Sequence, residues 1–176
     1  MRKNETLGGS FMKLEIRPAM RQDIPEIIML RSELLTFARG KPVSVEDIAA
    51  FKHFYEDIWD GINPMYFVCV SDSSIAGQVG VSIFPGLPSA KNPAGICGYI
   101  YDVSVKPAKR RKGIARALIY RALKYSKAKG VGYLSLHATS LGEPLYRSLG
   151  FAESMHVFLE LWREGIENID FSLMHT

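Results

Sequence analysis

Six basic residues and no acidic ones fall between Lys106 and Arg116, in the run Lys-Pro-Ala-Lys-Arg-Arg-Lys-Gly-Ile-Ala-Arg. The residues before it, Ile96 to Val105, are rich in Tyr, Ile and Val and read as a strand. Those after it, Gly113 to Lys129, carry Ile114, Leu118, Ala122 and Tyr125 on one stripe and read as an amphipathic helix. The first N–H groups of such a helix have no intrahelical acceptor and carry the positive end of its dipole. Gly113 relaxes the φ constraint and lets a ligand approach the backbone, and Ala115 is small enough to leave room for it. Arg110, Arg111 and Lys112 add charge around the same point. Strand, basic loop and helix together suit a phosphate or pyrophosphate. A solvated basic loop ahead of an ordinary helix is the competing reading.

Other phosphate-binding motifs are absent. No G-x-x-x-x-G-K-[ST] occurs, and no G-x-G-x-x-G follows a strand. The chain has 176 residues, with 22 Lys+Arg against 18 Asp+Glu, a net charge of +4. So mild an excess does not imply nucleic acid, whereas its concentration at one loop implies an anionic ligand that meets one place. Hydrophobic residues at 47% and charged residues at 23% exclude wholesale disorder. No apolar run approaches the roughly 18 residues needed to span a bilayer, and residues 1–11 lack a signal peptide's apolar stretch. Two cysteines, Cys69 and Cys97, make no disulfide framework, so a reducing, cytoplasmic setting is expected. Residues 1–11 read as a disordered lead-in, with Met12 a candidate start, and 12–176 as a single domain.

The elements that would position the basic loop follow from period and punctuation. Lys13 to Arg17 alternates like a strand. Asp23 is a candidate N-cap, with Pro25 in the first turn of a helix ending near Gly40. Ser44 opens a second helix, with Asp47 three residues on, running to about Gly61. Met65–Val70 and Ile75–Phe84 flank the turn at residues 71–74 and read as a hairpin. Residues 85–95 are a Pro/Gly-rich loop. Tyr133–Ala138 reads as a strand, Pro144–Leu149 as a short helix, and Phe151–Trp162 as a strand paired with Ile169–Met174. The order β-α-α-β-β-β-α-β-α-β-β implies an α/β fold, a mixed sheet with helices on both faces.

The run Arg110-x-x-Gly113-x-Ala115, after Val103-Ser-Val105-x-Pro107, resembles the acyl-CoA signature of the GNAT superfamily of N-acetyltransferases. Leu145-Tyr146-Arg-Ser-Leu149-Gly150-Phe151, about thirty residues on, is similar to that family's short helix and following strand. The resemblance covers Ile96 to Phe151 by motif and Lys13 to Phe84 by order of elements. It implies a mostly antiparallel sheet of 6–7 strands and an enzyme, an acetyl-CoA-dependent N-acetyltransferase. It implies that the chain from Arg110 through Arg111, Lys112, Gly113, Ile114 and Ala115 to Arg116 wraps the pyrophosphate, Arg111, Gly113 and Ala115 foremost. Val103 and Val105 would lend backbone groups to the pantetheine arm. Thr139 stands where the family often has an Asn, and its hydroxyl offers fewer bonds.

Direct attack of an amine on the thioester needs a proton removed, an oxyanion stabilised and a thiolate protonated. Tyr146 matches the family's Tyr, which often protonates the departing sulfur, and an ordinary phenol stays protonated at working pH. A core Tyr is the alternative. The resemblance implies a backbone N–H as oxyanion donor, foremost that of Val103. For the base, Asp102 competes with a purely structural carboxylate and with a water chain. By alternation Asp102 and Tyr101 face opposite ways unless a bulge intervenes. Tyr99 stands where some family members carry a catalytic Glu, and would position a water. His137 is a packing residue or a proton relay. Cys97 reads as a small hydrophobe rather than a nucleophile, and no spacing suggests a metal site.

The resemblance places the acceptor between Phe37–Gly61 and Met155–Trp162. Phe51, Phe54, Tyr55 and Trp59 recur at helical spacing and read as core; Glu56, Asp57 and Asp60 read as a solvated face. The acceptor is expected to be a small-molecule or peptide amine, with no nucleic acid and no membrane, on a monomer or homodimer. A catalytically silent acyl-CoA sensor is the alternative, separated by turnover with any amine. A nucleic-acid-binding domain would need several phosphate contacts and a steep salt dependence.

Overall fold

The β-branched and alternating segments form strands, and the segments of helical period form helices. The computed structural model describes residues 14–59 and 64–154, and the chain divides into two units, Met1–Thr139 and Ser140–Thr176. In the first unit, β1 (Glu15–Pro18), β2 (Met65–Ser71), β3 (Ser74–Pro85), β4 (Ile96–Val105) and β5 (Tyr133–Leu136) lie side by side in that order. The first four are antiparallel and β5 runs parallel to β4. Residues 1–13, the helix end near Gly61, the expected strand Phe151–Trp162 from its fifth residue on and its expected partner Ile169–Met174 lie outside the described residues. Residues 151–154 belong to no regular element.

The helices α1 (Ile24–Arg39), α2 (Val45–Ile58) and α3 (Ile114–Ala128) take both faces of the sheet. Neighbouring residues of β3 show this. Gln78 donates Nε2–H to the Ile27 carbonyl of α1 at 3.3 Å. A Cβ on Gly77 would instead meet Leu118 of α3 at 3.2 Å. Side chains alternate along a strand, so the two helices cover opposite faces. On the first face Ile24, Ile27, Leu30, Tyr55, Tyr66 and Val68 are buried together. On the second, α3 presents Ile114, Leu118, Ile119 and Ala122, all buried, and the Phe67 ring meets Tyr125 edge to face. Truncating a fully buried residue such as Leu30 to Ala would cost about 2–5 kcal/mol.

Local chemistry sets the ends. Ser44 Oγ accepts from the Asp47 N–H at 3.0 Å and Asp47 Oδ2 from the Ser44 N–H at 3.3 Å, a reciprocal box at the start of α2. Asp72 and Ser73 both take left-handed φ, as a two-residue hairpin turn of right-handed strands requires. Asp23 precedes α1 as expected, yet its carboxylate caps no N–H of that helix. It accepts from the Met20 N–H at 2.7 Å and from both Arg17 terminal nitrogens, which fixes the turn between β1 and α1 instead.

Candidate active site

Strand β4 is bulged at its centre. Its register with β3 runs Gln78↔Ser104 and then Gly80↔Tyr101, so Asp102 and Val103 together stand opposite Val79. Asp102 takes φ 54, a left-handed conformation. The extra residue turns two consecutive side chains to one face. Tyr101 meets the Tyr66 ring edge to face at 5.6 Å, and Asp102 accepts from the Tyr66 hydroxyl at 2.7 Å. Gly80 makes the Tyr101 position possible, because a Cβ there would lie 2.7 Å from the ring. Burial, eased by a hydrogen bond from Ser82 and reinforced by the Asp102 charge, lifts the Tyr101 phenol to about 12.

The Asp102 carboxylate is enclosed. Oδ1 accepts from Arg31 of α1, and Oδ2 from Tyr66 of β2 and from Tyr55 of α2 at 3.1 Å. The two phenols also lie 2.9 Å apart. The Arg31 guanidinium sits 4.8 Å from the centre of the Phe51 ring. Burial first, and then the Asp102 charge, holds both phenols well above their usual range, so each stays a donor. Burial works against the Arg31 charge, but Asp102 more than offsets it and the guanidinium remains protonated.

Beyond this point β4 has no partner from β5. Their parallel pairing ends at Ile100↔Leu136. The expected strand to Ala138 stops at Leu136, which leaves His137 just past its end. There the Tyr99 hydroxyl meets His137 Nδ1, and the Tyr99 ring stacks on Tyr101 with centroids 6.1 Å apart. Cys97 is half-buried and receives a contact from the Asn92 amide at 3.6 Å.

The basic loop resolves into separate roles. Lys106 pairs with Glu26 at 2.7 Å and Lys109 with Asp72 at 2.5 Å, tying the loop to α1 and to the β2–β3 turn. Arg110 donates Nε–H to the Val105 carbonyl at 3.0 Å, folding back on β4. Arg111 and Lys112 are exposed beside the start of α3, and Arg116 is exposed on its first turn. Arg111 takes φ 62 and Gly113 φ 79. The first intrahelical bond of α3 runs from the Ala117 N–H to the Gly113 carbonyl. The N–H groups of Gly113, Ile114 and Ala115 precede it. A Cβ on Gly113 would meet nothing within 4 Å, so the space beside Gly113 is open. Donors, cations and open backbone fit a pyrophosphate. Val103 and Val105 lie on the stretch of β4 beyond its last pair with β5, and Thr139 lies past the end of β5 in an irregular segment. No group of three metal-ligating side chains occurs among the described residues.

In the second unit, α4 (Glu143–Ser148) carries Tyr146, which is buried. Its ring meets Phe151 edge to face at 6.0 Å, and its carbonyl accepts from the Phe151 N–H at 3.1 Å. Gly150, at φ 93, makes the return possible. Met155–Trp162 and Asp60 lie outside the described residues.

The sequence pattern does not single out Arg31 or Tyr66, and helical spacing marks Tyr55 only as core. A signal for Arg31 is nonetheless present. It follows Ile27 by four residues, a cation on the buried stripe of an amphipathic helix, where a charge needs a partner.

The chain matches the model of the Acetyltransferase (GNAT) family over residues 29–151. A 56-residue stretch is 39% identical to streptothricin acetyltransferase of Streptomyces lavendulae; the match spans 30% of this chain and 30% of that protein. Among solved structures, a predicted acetyltransferase from Clostridium acetobutylicum with acetyl-CoA superposes with a TM-score of 0.76 at 21% identity, over 85% of this chain and 96% of that one. Aminoglycoside N-acetyltransferase AAC(6')-Iy in complex with CoA gives 0.70 at 19% identity, over 89% and 99%. An aminoglycoside acetyltransferase from an uncultured soil metagenomic sample, in complex with sisomicin, gives 0.63 at 22% identity, over 85% and 97%. These likenesses establish a shared fold. No helix among the described residues is long and apolar enough to cross a membrane.

Proposed function

The chain belongs to the Acetyltransferase (GNAT) family, an acyltransferase with acetyl-CoA as cosubstrate, and on that premise we propose that it acetylates the primary amine of a small molecule by direct attack, with both substrates bound. The observation that carries the reading is the succession of three features along the chain. A bulged strand parts from its neighbour, a loop with left-handed Arg111 and Gly113 follows, and a helix then offers its first N–H groups.

Acetyl-CoA supplies the activated acyl carbon. The N–H groups of Gly113, Ile114 and Ala115 hold the pyrophosphate, with Arg111 and Lys112 neutralising it. Arg110 braces the loop against β4 rather than offering its Nε–H to the ligand. The backbone of Val103 and Val105 takes the pantetheine arm, and the Val103 N–H faces the developing oxyanion. Asp102 does not accept the amine's proton in this reading, because Arg31 and two phenols engage both its oxygens. The proton passes instead through water to the Tyr99–His137 pair. Tyr146 returns a proton to the thiolate, a role resting on the Leu145–Phe151 motif. The acceptor is a small molecule because the matched relative is named for streptothricin and two structural neighbours for aminoglycosides. Cys69 and Cys97 as free thiols agree with work in the reducing cytoplasm.

Calorimetric titration of the protein with acetyl-CoA and CoA tests this first. Micromolar binding is expected, followed by amine-dependent thiol release across a panel of aminoglycosides, polyamines and amino acids. No binding at millimolar cofactor would reduce residues 110–115 to a basic loop and remove the reading.

A further inference from the structure

We propose that Arg31 is a positioning residue for acyl transfer: it anchors Asp102 on the α1–α2 face and so holds the β4 bulge that presents the Val103 N–H. What the N–H does rests on the acetyl-transfer reading above; the anchoring stands on geometry alone.

A non-glycine residue with φ 54 is uncommon, and such a conformation persists only where its surroundings over-determine it. Here the surroundings are three donors from three elements. Arg31 comes from α1, Tyr55 from α2 and Tyr66 from β2, and all meet one carboxylate on β4. None is local in sequence; Arg31 lies 71 residues from Asp102. An unbulged β4 would obey strict alternation and send Asp102 to the face opposite Tyr101. That face is covered by α3 with buried Ile114, Leu118 and Ile119, an apolar surround that penalises a carboxylate. The ion pair therefore selects the bulged register over the regular one, the task buried ionic groups perform best.

Among the three donors Arg31 is the cation, and its removal leaves the carboxylate without counter-charge. It is also the more accessible half of the pair. Its side chain is 27% exposed against 3% for Asp102. It rests on the Phe51 ring, so it can be exchanged with less disturbance of the core than either tyrosine. The bulge is what leaves Asp102 and Val103 out of the β3 register. Releasing the anchor lets β4 slip toward regular pairing and draws the Val103 N–H back into the sheet.

The test compares R31K, R31M and the double variant R31M/D102N, which removes both charges and keeps the experiment informative if R31M fails to fold. Amide hydrogen exchange over residues 101–105, CoA affinity and kcat for thiol release are read together. In R31M or the double variant, exchange over 101–105 is expected to change by at least about tenfold. The kcat is expected to fall by about tenfold to a hundredfold. The Kd for CoA should rise by less than kcat falls, because Val103 serves only the pantetheine arm while the pyrophosphate is held at the start of α3 by Gly113, Ile114 and Ala115. R31K should fall between. Wild-type exchange over 101–105 overturns the proposal, as does altered exchange with wild-type kcat. If the wild-type protein releases no thiol with any amine, the acetyl-transfer reading falls, and the exchange measurement alone decides whether Arg31 holds the bulge.

Discussion

The hydroxyl of Tyr99 meets Nδ1 of His137 where β4 and β5 stop pairing. A phenol and an imidazole in contact form a short path along which a proton can move. If this pair takes up the amine's proton, H137A should lower kcat by about a hundredfold, with the Kd for CoA unchanged. Y99F, which breaks the bond but keeps the imidazole, should cost less. Stopped-flow or steady-state thiol release at saturating substrate measures both. Wild-type kcat in both variants would assign the proton to bulk water.

Gly113 carries two separable properties, its φ of +79 and the open space beside it. G113A tests the first. A left-handed L-residue is strained, so the variant should lose about 1–2 kcal/mol in urea melts while still binding CoA. G113E tests the second, placing bulk and negative charge among the first N–H groups of α3. Its Kd for CoA should rise at least about tenfold, or about 1.4 kcal/mol. A folded G113E with wild-type affinity would move the pyrophosphate elsewhere.

What was legible beforehand was local. Ser44 with Asp47, Gly40 after α1 and Gly113 before α3 announce their helices within four residues, and the structure keeps each to within about a residue. The hairpin at Asp72–Ser73 is local in the same way. The bulge was not legible, because it arises from how β4 registers on β3, and register is set by partners far along the chain. Asp102 illustrates the limit. Its position on the strand was plain, but its orientation depends on Arg31, Tyr55 and Tyr66 together. Asp23 shows a smaller version. The residue type fits a helix cap, yet the Arg17 fork and the Met20 N–H compete for the same oxygens and win.

Tyr146 is buried on α4 against Phe151. Y146F removes the hydroxyl and keeps the ring, so packing in this unit should survive. Thermal melting should therefore shift little, CoA should bind as before, and kcat should fall by about a hundredfold if the phenol protonates the thiolate. A leaving group of lower thiol pKa needs less help, so an acyl donor built on such a thiol should recover part of the loss. An unchanged kcat where chemistry is rate-limiting would leave Tyr146 a packing residue.

The Arg17–Asp23 pair should make stability depend on acid. Asp23 has a side chain only 5% exposed, and Arg17 23%. Burial by itself would raise the Asp23 carboxyl. The Arg17 hydrogen bonds, the Met20 N–H and the Arg17 charge outweigh it and hold the group below its usual range. A carboxyl depressed in the folded state stabilises above its unfolded pKa of about 3.9 and loses that contribution as pH falls through the folded value. D23N should therefore cost about 1–3 kcal/mol at pH 7, where it strips a charged acceptor from Arg17 and the turn. The gap between variant and wild type should persist down to about pH 4 and narrow below it. Urea unfolding of both proteins from pH 7 to pH 3 measures the gap directly. A gap that is absent at neutral pH, or that stays constant into acid, would mean that the turn between β1 and α1 is held by packing rather than by this pair.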